Sequence, residues 1–372
     1  MKRISCFVFC ILVLFVTSCK KSEQVHETII DKDVITNVEP EALPEDDKGE
    51  EEVVQEIVDP TKTERFPLTG LPCTPEEKLE RPIAVVFNNL QKALPQLGIE
   101  SADVVWETNA EGGLTRLIAI YSSLSKIETI GSIRSARDYF IDIAAIHKAI
   151  LVHAGGSPMF YNEDSIRACN NIDGINMPTV PADTFWRDSV KRVERGYEHS
   201  LQTNRERLEN AIKLQRYETT LAEPVSPLTF YDVQTTPDTD KTAQNVTLEH
   251  SLTSVIKFTF NIEDSKYYKE TYGKPHIEES TGNTLSFDNL IVIFADQKVV
   301  DADLRLELDL VGDGEGYLFT MGKQVDIKWE RTSEDGGLTL SNTDGTPLYI
   351  NPGKTHITIF DRDNPHGVSV EQ

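Results

Sequence analysis

The feature that most constrains this chain is a stretch unsuited to folding. From residue 20 to about residue 64 there is no aromatic residue, and acids outnumber bases by more than two to one, with runs at Glu45-Asp46-Asp47 and Glu50-Glu51-Glu52. Such a composition buries too little apolar surface to offset the entropy of ordering the backbone. Its like charges repel, so the sequence predicts an extended acidic tether over 19–64. What packs must pack from about Phe66 onward, in roughly three hundred residues, which is enough for two domains.

Lys2 and Arg3, followed by an apolar run to Phe15, have the charged and apolar regions of a secretory signal. The run is short for a membrane span. It closes on Val16-Thr17-Ser18-Cys19, which resembles a lipobox, where a bacterial lipoprotein signal is cut before a diacylated cysteine. The expectation is a signal peptide over 1–18 and a lipid on Cys19 that holds the mature chain on the extracytoplasmic face of a bacterial cell membrane. Two acyl chains anchor stably where one is marginal. A formal net charge of −24 argues against nucleic acid or anionic lipid as the main partner. Cys6 and Cys10 leave with the signal. Cys73 and Cys169 remain, too far apart in sequence to decide between a disulfide and two buried thiols. No CxxC or HExxH spacing occurs, so neither a metal site nor a cofactor is expected.

Past the tether the first domain is expected over 65–222. Apolar runs at 83–87 (IAVVF), 102–107 (ADVVWE), 114–121 (LTRLIAIY) and 149–152 (AILV) read as strands, with helical or turn segments between them. One helix is expected to start at Ser132, another within 200–217. A proline-rich linker, 223–227 (EPVSP), leads to a β-rich domain over 228–372. There, 254–260 alternates, 290–294 is apolar, and 304–310 (LRLELDL) alternates almost throughout. GDGEG at 312–316 reads as a turn. The fold class expected is an α/β or α+β N-terminal domain with a mixed sheet, plus a mainly antiparallel β C-terminal domain.

The densest chemistry lies in 131–158, GSIRSARDYFIDIAAIHKAILVHAGGSP. A helix beginning at Ser132 would place Arg134 and Arg137 on one face of its first turns, where the helix dipole is already positive. Something negative should offset them, a protein carboxylate or a bound anion. His153 ends a strand, and Gly155, Gly156 and Ser157-Pro158 follow as a glycine turn into a second helix start. Such a turn can aim backbone N–H groups at an anion. Asn88 and Glu107 fall at other strand ends, and Glu111 and Arg116 lie close by in sequence. The candidate ligand-binding set is therefore Asn88, Glu107, Glu111, Arg116, Arg134, Arg137, His153, Gly155, Gly156 and Ser157, with no catalytic group assigned. Each has a plainer alternative: arginines paired with Glu107, Glu111 or Asp138, a packed histidine, and a serine that only caps.

The segments RPIAVVFNN, ADVVWETNAEGGLTRLIAIY, GSIRSARDYFIDIA, VHAGGSP and FWRD, in that order after a lipobox and PLTGLP, resemble the YerB-like bacterial lipoproteins. GEGYLFTMGKQVDIKW and LYINPGKTHI resemble that family's C-terminal domain. The resemblance implies a two-domain extracytoplasmic lipoprotein and carries over no catalytic residue. Three functions remain open. The first is binding of an anionic, envelope-related small molecule or a protein partner through the arginine- and glycine-rich site. The second is hydrolysis or transfer on envelope polymer, with Glu107, Glu111 or His153 moving protons. The third is an interaction scaffold in which the arginines are structural.

Overall fold

The computed structural model of the chain describes residues 61–162, 169–364 and 367–371. The signal, Cys19 and the tether up to residue 60 lie outside them. Strands carry most of the fold: β1 (Ile83–Asn88), β2 (Val104–Asn109), β3 (Thr115–Tyr121), β4 (Ile150–His153), β5 (Asn171–Asp173), β6 (Asn245–Ser251), β7 (Ser254–Asn261), β8 (Lys266–Thr271), β9 (Asn289–Ala295), β10 (Gly312–Thr320), β11 (Lys323–Arg331), β12 (Thr339–Asn342), β13 (Thr355–Asp361) and β14 (Val368–Glu371). Three α-helices occur among the described residues; the two that pack on the large sheet are α1 (Tyr139–Ile146) and α2 (Arg205–Gln215), and a short one spans Ser189–Glu194. The protein is mostly β with few helices.

Strands from both predicted domains enter one ten-stranded sheet, in the order β12-β11-β10-β9-β13-β2-β3-β1-β4-β5. The sheet is mixed. β13 runs parallel to both β9 and β2, and β4 runs parallel to both β1 and β5, while the remaining neighbours are antiparallel. The join between the segments is the β2–β13 register, Val104↔Thr355 through Thr108↔Ile359. A second, antiparallel sheet built on β8-β7-β6-β14 belongs to the C-terminal segment.

Alternation along the strands sorts the core onto two faces, because successive side chains of a strand point oppositely. Ile83, Val85 and Phe87 join Val105, Leu117 and Ala119 on the face that packs on the second sheet and α2, through Val246, Phe258 and Leu208. Ala84 and Val86 join Trp106, Ile118 and Ile120 on the other face, covered by Phe140, Ile143 and Ala144 of α1.

Three expectations are corrected. The helix begins at Tyr139, not Ser132, and Asp138 occupies the cap position. Residues 132–136 run extended between two strand ends: the N–H of Asn88 donates to Ser132 O, that of Arg134 to Val86 O, and that of Ala136 to Gly155 O, at 2.9 Å each. These long-range bonds outweigh the local helical spacing. GDGEG is no turn but the first half of β10. A Cβ at Gly314 would lie 2.4 Å from Trp329 Nε1 and one at Gly316 2.4 Å from Val292 O, so the glycines let neighbouring groups approach the strand. Of 304–310, only Leu306–Leu308 is strand. Asp301 takes the Arg305 N–H at 3.1 Å and its guanidinium at 2.7 Å, folding the start of the run into a turn.

Candidate functional site

The arginines precede the helix rather than opening it, so the dipole argument does not apply to them. They still find a negative partner. Arg116, inside β3, reaches Glu111 Oε1 from NH2 at 2.7 Å, and Arg137 grips the same carboxylate from NH2 at 2.5 and 2.6 Å and from Nε at 3.0 Å. Both guanidiniums also donate to carbonyls, Arg116 to Ser135 O at 2.6 Å and Arg137 to Ala136 O at 2.7 Å. Both arginines are 7% exposed, whereas the Glu111 side chain is 31% exposed. Burial and the neighbouring Arg137 charge pull the Arg116 pKa down to about 9, against the pull of Glu111. Burial favours the neutral Glu111 acid, but the arginines prevail and hold its pKa below the ordinary value. Arg134 stands apart, in a surface pair with Glu198 at 2.8 Å.

The glycine turn also meets a carboxylate. Gly155 has φ +76, and its N–H donates to Asp173 Oδ1 at 2.7 Å. The same carboxylate takes the Ile175 N–H at 2.9 Å and the Tyr161 hydroxyl at 2.6 Å. Asp173 thus occupies the place expected of an anion. His153 is fully buried, its Nδ1 2.8 Å from Gly155 O and its Nε2 3.3 Å from Asn171 Oδ1, and its ring is edge-on to Phe160. Burial lowers its pKa against the pull of Asp173. Gly156 pairs with Ala136 in a bridge, and Ser157 Oγ accepts the Phe160 N–H at 3.2 Å, opening a turn over 158–161 where a helix start was expected. Asn88 turns toward His199 Nδ1 at 2.9 Å.

Glu107 belongs to a separate, closed network. Its Oε1 accepts from Asn89 Nδ2 at 2.9 Å and Thr115 Oγ1 at 2.7 Å. Its Oε2 meets Lys269 Nζ from β8 and lies 3.2 Å from His356 Nε2 of β13. Glu107 and Lys269 have no exposed surface. Burial alone would favour the neutral acid, but Lys269 and His356 prevail and hold Glu107 well below the usual carboxylate range. Asn89 and Gln96 extend the network to His276, whose Nε2 is 2.5 Å from Gln96 Oε1 and whose Nδ1 is 2.9 Å from Thr271 Oγ1.

The structure therefore groups Glu111, Arg116 and Arg137. It places His153 and Gly155 beside Asp173, leaves Gly156 bridged to Ala136 and Ser157 bonded to Phe160, and pairs Glu107 with Lys269 of the other sequence segment. Lys269, His276 and His356 were missed by sequence reasoning. The signal was present for Lys269, because Tyr267, Lys269 and Thr271 share one face of β8 and all three point inward.

Family models match both segments: the N-terminal domain of a protein of unknown function (DUF3048) over residues 68–218, and the C-terminal domain of the same family over residues 246–357. The sequence is 29% identical over 306 residues to YerB of Bacillus subtilis (strain 168), named as a candidate lipoprotein, covering 82% of this chain and 88% of that one. The chain belongs to the YerB-like family. The crystal structure of YerB from Bacillus subtilis superposes with a TM-score of 0.71 at 28% identity, covering 83% of this chain and 99% of that one. Among the described residues of this YerB-like chain, no helix is long and apolar enough to cross a membrane.

Proposed function

We propose that the chain is a lipid-anchored extracytoplasmic binding protein that meets its partner or ligand on its surface, with the arginine and glycine motifs of its N-terminal segment serving as frame. The observation that carries this reading is that the charged groups expected to form a site are closed on one another: Arg116 and Arg137 on Glu111, Gly155 on Asp173, and Glu107 on Lys269. Proton-transfer chemistry would call on Glu107, Glu111 or His153: Glu107 and His153 are wholly buried, and Glu111, 31% exposed, is engaged by Arg116 and Arg137. The anchor rests on the lipobox-like Cys19 and on a relative named as a candidate lipoprotein. Cell fractionation tests it: the wild-type chain stays with membranes until detergent is added, and Cys19→Ser moves to the soluble extracytoplasmic fraction. A Cys19→Ser chain that remained bound through high salt would sink the anchor.

One observation favours a second reading, an anionic ligand at the arginines: two guanidiniums share a single carboxylate, leaving a positive charge in excess beside the half-exposed Glu111. Thermal melting of the full chain with inorganic phosphate or glycerol phosphate decides it. A bound anion at a hundred times its Kd adds about 2.7 kcal/mol to the folded state. No shift with either compound leaves the arginines purely structural.

A further inference from the structure

Residues 231–241, just past the linker, cross the sheet surface at β10–β12 as a strap that is tied down along its length. The Tyr231 N–H donates to Ile350 O at 2.9 Å, and the Gln324 N–H donates to Lys241 O at 3.0 Å. Midway, Thr235 and Asn351 exchange two bonds, Thr235 N–H to Oδ1 at 2.6 Å and Nδ2 to Thr235 O at 2.9 Å. Asn351 is itself 1% exposed and fixed by Asn289 at 2.8 Å. These ties hold open a cleft of about 370 Å3 between strap and sheet, within the size range of small-ligand sites.

The lining is specific in kind. Tyr231 and Tyr349 stand side by side, ring centres 5.6 Å apart and planes 32° from each other, with Tyr349 44% exposed. Among the described residues, neither phenolic hydroxyl has a hydrogen-bond partner, and neither does the Asp238 carboxylate. Facing them, Asp326 is oriented by Lys241 Nζ at 2.5 Å and by Gln324 Nε2 at 3.3 Å. Asp238, Asp326 and Asp344 outnumber the single Lys241, so the cleft repels anions. Its many polar groups do not suit a purely apolar ligand.

We infer that this cleft binds an uncharged carbohydrate. Aromatic faces carry negative potential and attract the polarised C–H face of a pyranose ring, while carboxylate, amide and hydroxyl groups match its adjacent hydroxyls. The inference deepens the reading of the chain as an extracytoplasmic binding protein and rests on it.

Isothermal titration of the full chain with chitotetraose and, separately, cellotetraose tests the cleft. At least one sugar binds, and Tyr349→Ala weakens it by about tenfold, the equivalent of about 1.4 kcal/mol. Asp238→Asn weakens it with an unchanged melting temperature, while Arg134→Ala binds like wild type. Absence of binding to both sugars, or equal binding by Tyr349→Ala and Asp238→Asn, overturns the inference. The anchor fails separately: a chain that binds sugar but does not fractionate with membranes keeps the cleft and loses the tethering.

Discussion

Lys269 and Glu107, 162 residues apart in the chain, meet as an ion pair with no exposed surface on either side chain. One comes from the antiparallel sheet of the C-terminal segment, the other from the middle of the ten-stranded sheet. Burying two charges costs several kcal/mol per ion, so such a pair persists only when its remaining hydrogen bonds are satisfied. Here Asn89, Thr115 and His356 supply them. The pair ties the two sequence segments together with geometric specificity that an apolar contact lacks.

Removing one partner should therefore be severe. Lys269→Met leaves a buried carboxylate without its cation and is expected to cost about 3–5 kcal/mol in urea unfolding. Glu107→Leu combined with Lys269→Met removes both charges and should recover a large part of that loss. A double variant as unstable as the sum of the singles would show that the pair is not coupled.

The buried histidines set the acid limit. Burial lowers the pKa of His250 and His356 to about 4 and that of His147 and His276 to about 3, from an ordinary 6.5. Below pH 6.5 the unfolded chain takes up protons that the fold refuses. Their contribution is thus fully present above pH 6.5 and is lost as pH falls, toward 4 for His250 and His356 and toward 3 for His147 and His276, by up to about 1.4 kcal/mol per pH unit for each group. His250 isolates the effect, because among the described residues neither ring nitrogen has a hydrogen-bond partner and its ring stacks on Phe360 at 4.3 Å. His250→Leu should gain on the order of 2 kcal/mol relative to wild type between pH 7 and pH 5. Parallel stability–pH curves for the two proteins would count against the neutral histidine.

Much of the sheet was legible. IAVVF, VVWE and RLIAIY are apolar on both faces, as strands covered on two sides must be, and each became a central strand. The start of the helix was not, because Ile133 and Ala136 have helical spacing while their backbone bonds go to Leu201 and Gly155. No local pattern encodes that. The sequence also asked for a negative charge near Arg134, Arg137 and the glycine turn, and the need was real. Glu111 had been placed near the arginines as one possible partner. Asp173 was invisible, since it reaches Gly155 from a neighbouring parallel strand 18 residues on.

The arginines should separate cleanly in stability measurements. Arg137→Ala leaves Glu111 with Arg116 alone and strands the Ala136 carbonyl, and should cost roughly 2–3 kcal/mol, at or below the low end for a broken buried pair because Glu111 is 31% exposed and keeps one cation. Arg134→Ala removes a pair whose Glu198 side chain is 62% exposed, and should stay within about 0.5 kcal/mol. Urea midpoints in the same buffer check both, and equal losses would contradict the division into frame and surface.

The two cysteines among the described residues are free thiols, Cys73 fully buried and Cys169 half-buried. Burial raises the pKa of both, Cys169 to about 12, with the nearby Glu77 adding to the rise at Cys73. The thiolate is the nucleophile, so neither should react readily in the fold. Iodoacetamide at pH 7.5 is expected to leave both unmodified in the native chain and to label both once urea is added, as read by peptide mass. Native labelling of Cys169 would place its sulfur at an open surface, and a non-reduced peptide linking the two would replace free thiols with a disulfide.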